Sequence, residues 1–159
     1  MRAAVALILP ADVVLVRLSF LVQSVYADVC AKHDLSPAQA QLLCVIKDQP
    51  RGMTELARIL GLERPGTSGL VDRMQRRGLV RRQGAPHDRR AVILTPTPGG
   101  KLIAEEFYAE VSDRLQQLMR DLPAAERHRF ETIGSKILAA ERVPAVFGTT
   151  DAATHHDMA

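Results

Sequence analysis

The chain has 159 residues, of which 47% are hydrophobic and 25% charged, and its formal net charge is +3. This length and balance predict a single soluble globular domain with its own core. Its two cysteines exclude a disulfide framework. Residues 51–90 contain ten arginines against four acidic residues, a local charge of +6. The remainder of the chain sums to −3, so we expect one face that meets a polyanion.

The first predicted helix covers residues 12–32, which contain neither glycine nor proline. Apolar residues recur there at the helical intervals of three or four: Val14, Leu18, Leu21, Val25 and Val29. Val16, Phe20 and Tyr26 make a second side of this helix apolar. A helix that is apolar on more than one side is buried on more than one side, so a partner subunit is expected to cover it.

The apolar run at the N-terminus ends at Pro10, and the charges of Asp12 and Arg17 follow. No small-residue cleavage site comes after it, and its uncharged stretches are too short for a membrane span. We therefore expect a cytoplasmic protein that does not enter a membrane.

A helix-turn-helix followed by a hairpin is predicted next. Ser36 suits the N-cap of the first of these helices, and Gly61 and Gly78 suit the ends of the other two. The helices are predicted over residues 36–46, 54–60 and 65–77, and short strands over residues 79–82 and 91–95. The expected fold is mainly α-helical with a small β-hairpin wing.

Two further helices are predicted after the hairpin. The first runs from Pro96 to Leu118, with its start frayed by Pro98 and Gly99-Gly100, and the second begins at Pro123. Residues 143–159 lack periodicity and are expected to form a disordered tail.

The helix over residues 65–77 has an unusual outward face. Its N-terminal half carries the small residues Gly66, Thr67, Ser68 and Gly69, which we expect to let the helix enter the major groove of DNA. Arginines flank them, and we expect these to contact DNA: Arg64, Arg73 and Arg76. Of the neighbours Arg76 and Arg77, one is expected to bind phosphate, and the sequence does not indicate which.

The hairpin tip carries Asp88, Arg89 and Arg90. Arginine suits the narrow minor groove, where the potential is most negative, so Arg89 and Arg90 are predicted DNA contacts. Asp88 is expected to support the wing by holding a neighbouring guanidinium in place. Arg81 and Arg82 fit a DNA contact and a solvated strand face equally well.

These residues resemble the multiple-antibiotic-resistance regulator (MarR) family of winged helix-turn-helix transcription factors. The matching segments are LSPAQAQLLCVI at 35–46, MTELARILGLERPGTSGLVDRMQRRGLVRR at 53–82 and APHDRRAVILTPTPGGKLI at 85–103. The resemblance implies one domain over residues 1–142, with a DNA-binding lobe at about 36–96 and dimerisation helices at about 12–32 and 97–141. It also implies a homodimer that binds a pseudo-palindromic operator, most often as a repressor, and a small aromatic or phenolic effector.

The sequence leaves two other regulatory functions open and disfavours an enzyme. An oxidant-sensing regulator that uses Cys30 or Cys44, or an activator of the same family, stays open, although Cys30 does not match the family's oxidant-sensing position. An enzyme is not expected, because no catalytic carboxylate pair, activated nucleophile or phosphate loop is present, and no metal or cofactor is expected. Asp72 is interpreted as a structural partner of an arginine, and His33 as a surface or interface residue that could line an effector pocket.

Overall fold

A computed structural model of the chain describes residues 8–85 and 88–143, and for residues 88–90 it describes the backbone alone. Its helices are α1 (Ala11–Lys32), α2 (Pro37–Ile46), α3 (Met53–Leu60), α4 (Arg64–Arg76), α5 (Pro98–Leu118) and α6 (Ala124–Ala140). Its strands are β1 (Arg51–Gly52), β2 (Val80–Ala85) and β3 (Asp88–Pro96). The prediction of a mainly helical fold with a small β-hairpin is confirmed. The predicted tail beyond residue 143 lies outside the described residues.

Local signals set the ends of the three short helices. At the start of α2, the Ser36 hydroxyl accepts from the Gln39 N–H at 3.3 Å and the Gln39 side chain accepts from the Ser36 N–H at 2.9 Å, a complete capping box. Gly61 ends α3 with φ +63°, and Gly78 follows α4 with φ +70°. Glycine adopts this left-handed conformation without a steric cost, so the chain turns sharply after each helix.

The three strands form one antiparallel sheet in the order β1-β3-β2. Leu94 of β3 lies between Arg51 of β1 and Arg82 of β2. The hairpin strands are longer than predicted, since pairing continues to Gly84 opposite Val92 before an irregularity at Gly84 and Ala85. The two-residue strand β1 was not predicted, because a segment this short has no periodicity.

The start of α5 corrects a prediction. The helix begins at Pro98 and is not frayed: the Thr97 hydroxyl accepts from the Gly100 N–H at 3.0 Å and donates to the Gly78 carbonyl at 2.7 Å. Gly100 is buried, and a Cβ placed on it would lie 1.8 Å from the Leu79 carbonyl oxygen. Glycine is needed there because the backbone of Leu79, in the turn between α4 and β2, touches the backbone at the start of α5.

The core lies among the C-terminal end of α1, the helices α2, α3 and α4, the sheet and the middle of α5. We call α2, α3, α4 and the sheet the winged lobe. Helix α2 is its centre, with six buried residues. The largest fully buried side chains include Phe107, Leu42, Leu43, Ile46, Leu56, Met74 and Leu94. The winged lobe therefore has a core that the single chain completes.

The outer helices, α1 and α6, are covered far less. In α1 only Val25, Val29 and Cys30 are buried, and in α6 no residue is buried. Large apolar side chains stay exposed on both helices, at 66% for Phe20 and 60% for Ile133. With a mean hydropathy of 1.6, α1 is long and apolar enough to cross a membrane by composition alone, which is weak evidence because a covered helix of a soluble protein has the same composition.

Candidate nucleic-acid interface

The outward face of α4 is built from small and basic residues. Its inner face buries Leu70, Val71 and Met74 in the core, which fixes the rotation of the helix about its axis. The outward residues predicted to meet DNA are exposed, apart from the half-buried Gly69: Arg64, Gly66, Ser68, Arg73 and Arg76. A Cβ on Gly66 would meet no atom within 4 Å, so this part of the helix surface is bare backbone.

Thr67 is a correction to the predicted outward set. Its side chain is 1% exposed, and its hydroxyl donates to the Glu63 carbonyl at 3.0 Å. Positions 67, 70, 71 and 74 share one helix face, so Thr67 belongs with the core residues. The prediction that Thr67 points outward was therefore wrong, and the small outward residues are Gly66, Ser68 and Gly69.

The arginines in and directly after α4 divide into those that bond to another described residue and those that do not. Arg64 Nη2 lies 3.4 Å from Thr54 Oγ1, a long contact to α3. Arg73 and Arg76 make no hydrogen bond or ion pair with another described residue. Arg77, directly after α4, bonds instead to Asp34 and Gln39. Guanidinium groups without internal partners are available to phosphates or base edges.

A second set of contacts ties the wing to α4. Arg82 of β2 donates to Asp72 Oδ1 at 2.7 Å and to Gln75 Oε1 at 2.8 Å. The interpretation of Asp72 as a structural partner of an arginine is confirmed. Arg81 donates to the Thr95 hydroxyl across the hairpin at 3.2 Å. Both guanidinium groups thus have bonds that hold the wing, and the partners of Arg82 were not predicted because only the fold brings them together.

The predicted contacts at the wing tip lie at the edge of what the structure describes. The backbones of Asp88, Arg89 and Arg90 form the start of β3, with Asp88 paired to Ala85. Their side chains lie outside the described residues. The assignments of Arg89 and Arg90 to DNA contact and of Asp88 to wing support therefore stay predictions.

Ion pairs fasten the C-terminal half of α1 to α5. Lys32 Nζ lies 2.9 Å from Glu110 Oε2, and His33 Nε2 lies 3.3 Å from the same oxygen. The hydrogen bond from Lys32, with that from His33, holds the pKa of Glu110 below its usual range. Arg114 adds a bond to Asp28 at 3.0 Å. His33 also packs edge-on against Phe107, so it is part of the α1–α5 contact.

A cavity of about 340 Å³ opens between α1 and α5. Its lining is almost entirely apolar and includes two tyrosines: Val22, Tyr26, Tyr108, Val111, Ser112, Leu115, Gln116 and Met119. Lys47, at the end of α2, sits 5.3 Å from the centre of the Tyr108 ring. Such a site suits a small apolar or aromatic molecule. No sequence motif pointed to these residues, since they come from separate helices.

Both cysteines are buried, Cys30 in α1 and Cys44 in α2. Burial raises the pKa of the Cys44 thiol to about 12 and also raises the pKa of Cys30. Reactive thiols are exposed and have lowered pKa values, so this environment disfavours the oxidant-sensing alternative. Among the described residues, no cluster of three or more His, Cys, Asp or Glu could hold a metal ion.

Comparison with known proteins identifies the family of this chain. The sequence model of the MarR family matches residues 33–91. The multiple antibiotic resistance protein MarR of Escherichia coli (strain K12) is 31% identical over 107 residues, which cover 66% of this chain and 74% of that protein. The chain belongs to the MarR family. Members of this family are transcription regulators with a winged-helix DNA-binding fold, not enzymes.

Solved structures of MarR-family regulators match the same architecture. The crystal structure of wild-type MarR in its apo form from E. coli superposes with a TM-score of 0.69 at 26% identity, covering 83% of this chain and 99% of that one. The transcriptional repressor CouR bound to a 23-mer DNA duplex superposes with a TM-score of 0.67 at 28% identity, covering 80% and 92%. The winged helix-turn-helix of the MarR family is therefore the fold of this chain.

Proposed function

We propose that this MarR-family protein is a cytoplasmic homodimeric repressor that binds a pseudo-palindromic DNA operator. The observation that carries the proposal is the outward face of α4, where exposed arginines flank bare backbone at Gly66. Small side chains let the helix approach base edges closely, and the arginines bind phosphate or base. CouR, a repressor of the same fold, was solved on a DNA duplex, which supports DNA as the partner.

The homodimer is proposed from the apolar surface of the outer helices. Contiguous apolar surface on a soluble chain marks an interaction site. Residues of α6 such as Phe130 and Ile133, and residues of α1 such as Phe20, are exposed in the single chain. A second copy would bury both sets and would set the two α4 helices to read half-sites one helical turn apart.

The effector is proposed to occupy the cavity between α1 and α5. Its apolar lining and its tyrosines suit a small aromatic or phenolic molecule. The cavity lies beside the ion pairs that fasten α1 to α5, so a ligand there would change how these helices pack. That change is proposed to lower operator affinity and release the repressor.

The test of DNA binding is a gel shift with a duplex from the promoter region beside the gene. We expect the wild type to retard this duplex more strongly than a random duplex of equal length. Arg90→Ala is expected to weaken operator binding at least about tenfold, because a minor-groove guanidinium is lost. Lys136→Ala, on α6, is the matched control and is expected to bind like the wild type. Equal binding of both duplexes by the wild type would contradict the proposal.

The effector site has its own test, with phenol and benzoate as probes. Ser112→Phe places a ring in the cavity, so we expect it to bind the operator normally while either probe loses its effect on binding. Asp113→Phe changes the exposed neighbouring position and should leave the response intact. A response that survives in Ser112→Phe would place the effector elsewhere.

A further inference from the structure

Two adjacent arginines at the end of α4 have different surroundings. Arg76 is exposed and bonds to no other described residue. Arg77 directs its guanidinium away from the outward face, with Nη1 2.7 Å from the Asp34 carbonyl oxygen and Nη2 3.1 Å from Asp34 Oδ2. Its Nη1 also lies 3.2 Å from Gln39 Oε1. Neighbours in sequence thus point to different partners, since they are about 100° apart around the helix.

The partners of Arg77 belong to the corner between α1 and α2. Asp34 follows the C-cap of α1 and has the left-handed φ of +52°. The Gln39 side-chain oxygen that accepts a hydrogen bond from Arg77 also accepts the Ser36 N–H in the α2 capping box. Three elements therefore meet at one guanidinium: the end of α1, the start of α2 and the end of α4.

The main-chain bond matters most in this contact. The Asp34 carboxylate is 98% exposed, and an ion pair in water contributes little. The bond to the Asp34 carbonyl is short and charge-assisted, and a backbone acceptor has a fixed position. The buried face of α4 fixes its rotation, whereas the contact at Arg77 holds its C-terminal end and so limits its tilt.

We propose that Arg77 is a positioning residue for DNA binding, which fixes the end of α4 to the α1–α2 corner, while Arg76 contacts the DNA phosphate. The inference rests on the proposed function, because it assumes that α4 enters the groove. In this arrangement, the contact made by Arg77 sets the angle at which α4 meets the bases. The α1–α2 corner is then a physical link through which a movement of α1 reaches α4.

The experiment compares Arg76→Met with Arg77→Met in the full-length protein. Binding is measured against the promoter duplex that the wild type retards and against a random duplex, over a range of salt concentrations. A lost phosphate contact weakens binding to both duplexes and flattens the slope of log affinity against log salt by about one unit. We expect this for Arg76→Met.

Arg77→Met is expected to differ in both readouts. The promoter affinity should fall about fivefold or more while the random-duplex affinity and the salt slope change little, because base contacts depend on helix tilt and phosphate contacts tolerate it. Arg77→Lys, which keeps one donor near the Asp34 carbonyl, should recover part of the loss. The same pattern in Arg77→Met as in Arg76→Met would overturn the inference.

Asp34→Gly provides a second test, because it keeps the main-chain acceptor of Arg77 and removes only the carboxylate. Glycine adopts the positive φ of this position, and the substitution removes a negative charge beside Arg77. If Arg77 touched phosphate, promoter binding would strengthen; as a positioning residue it keeps its bond to the carbonyl of residue 34, so promoter binding should change less than about twofold. Thermal unfolding of each variant identifies any loss that comes from unfolding. If the wild type bound the promoter duplex and the random duplex equally well, the proposed function itself would be contradicted.

Discussion

The winged lobe and the outer helices differ in how they bury their apolar residues. Helix α2 buries six residues within the single chain, whereas α6 buries none although it carries Phe130, Ile133 and Ile137. Both helices have apolar residues at helical spacing. The difference shows that helical periodicity identifies which face of a helix must be buried. Only the fold shows whether the same chain buries that face. The core of the lobe is completed within the single chain, with α5 contributing Phe107, whereas the apolar face of α6 is left exposed.

The largest effect is expected from a substitution on the exposed apolar face of α6. Phe130→Arg places a charge in the proposed interface, where an unpaired charge costs several kcal/mol, so we expect the dimer to be lost and operator binding to fail. Mass measured in solution should fall toward the 17.5 kDa of one chain.

Ser135→Arg is the matched control for that change, since position 135 is exposed on the other side of α6. It should leave a dimer that binds DNA. A Phe130→Arg protein that remains dimeric would remove α6 from the interface.

The next effect tests the contact that joins the winged lobe to α5. Gly100→Ala would place its Cβ against the Leu79 carbonyl, and overpacking of this kind should lower the free energy of unfolding by about 3 kcal/mol. Gly99→Ala meets only Thr97 Oγ1 at 3.9 Å and should be tolerated. Urea unfolding of both variants measures the difference. Equal stability would mean that the start of α5 does not approach the Leu79 backbone so closely.

A smaller effect is expected at Gly66, on the outward face of α4. Gly66→Ala meets open space in a helix, so it should raise the free energy of unfolding by about 0.5 kcal/mol. It should nevertheless weaken operator binding by about fivefold, because the bare backbone no longer approaches the groove. Gly99→Ala again serves as the comparison, with no expected change in DNA binding. A Gly66→Ala variant with wild-type affinity would show that close backbone approach is not required.

The smallest effect concerns the lobe's interior. Because burial raises the pKa of Cys44 to about 12, little thiolate exists at neutral pH, and hydrogen peroxide should change operator affinity less than about twofold. Thiol titration before and after unfolding in urea checks the burial. A loss of binding that Cys44→Ser abolishes would restore the oxidant-sensing alternative.

Sequence patterns predicted most of the fold. Ser36, Gly61 and Gly78 carry their signals locally, so the ends of α2, α3 and α4 were predicted closely. The start of α5 had such a signal in Thr97 and Pro98, but the two glycines after it suggested fraying. The need for glycine at Gly100 comes from Leu79, far away in sequence, and no local pattern reveals it.

The candidate site was predicted in composition more than in geometry. Thr67 could have been assigned to the core, since it lies three and four positions before Leu70 and Val71. By contrast, Arg76 and Arg77 are the same residue type at adjacent positions, and nothing in the sequence separates them. Their difference depends on where the α1–α2 corner lies, which is a property of the tertiary fold.

If a second copy covers the exposed apolar side of the outer helices, as proposed, the stability of the protein depends on its concentration. For a dimeric chain, stability follows mass action, so dilution lowers the melting temperature. A newly made copy without a partner carries uncovered surface on α1 and α6, which favours aggregation. If the proposed homodimer forms, the protein is therefore most stable above the concentration at which two copies pair.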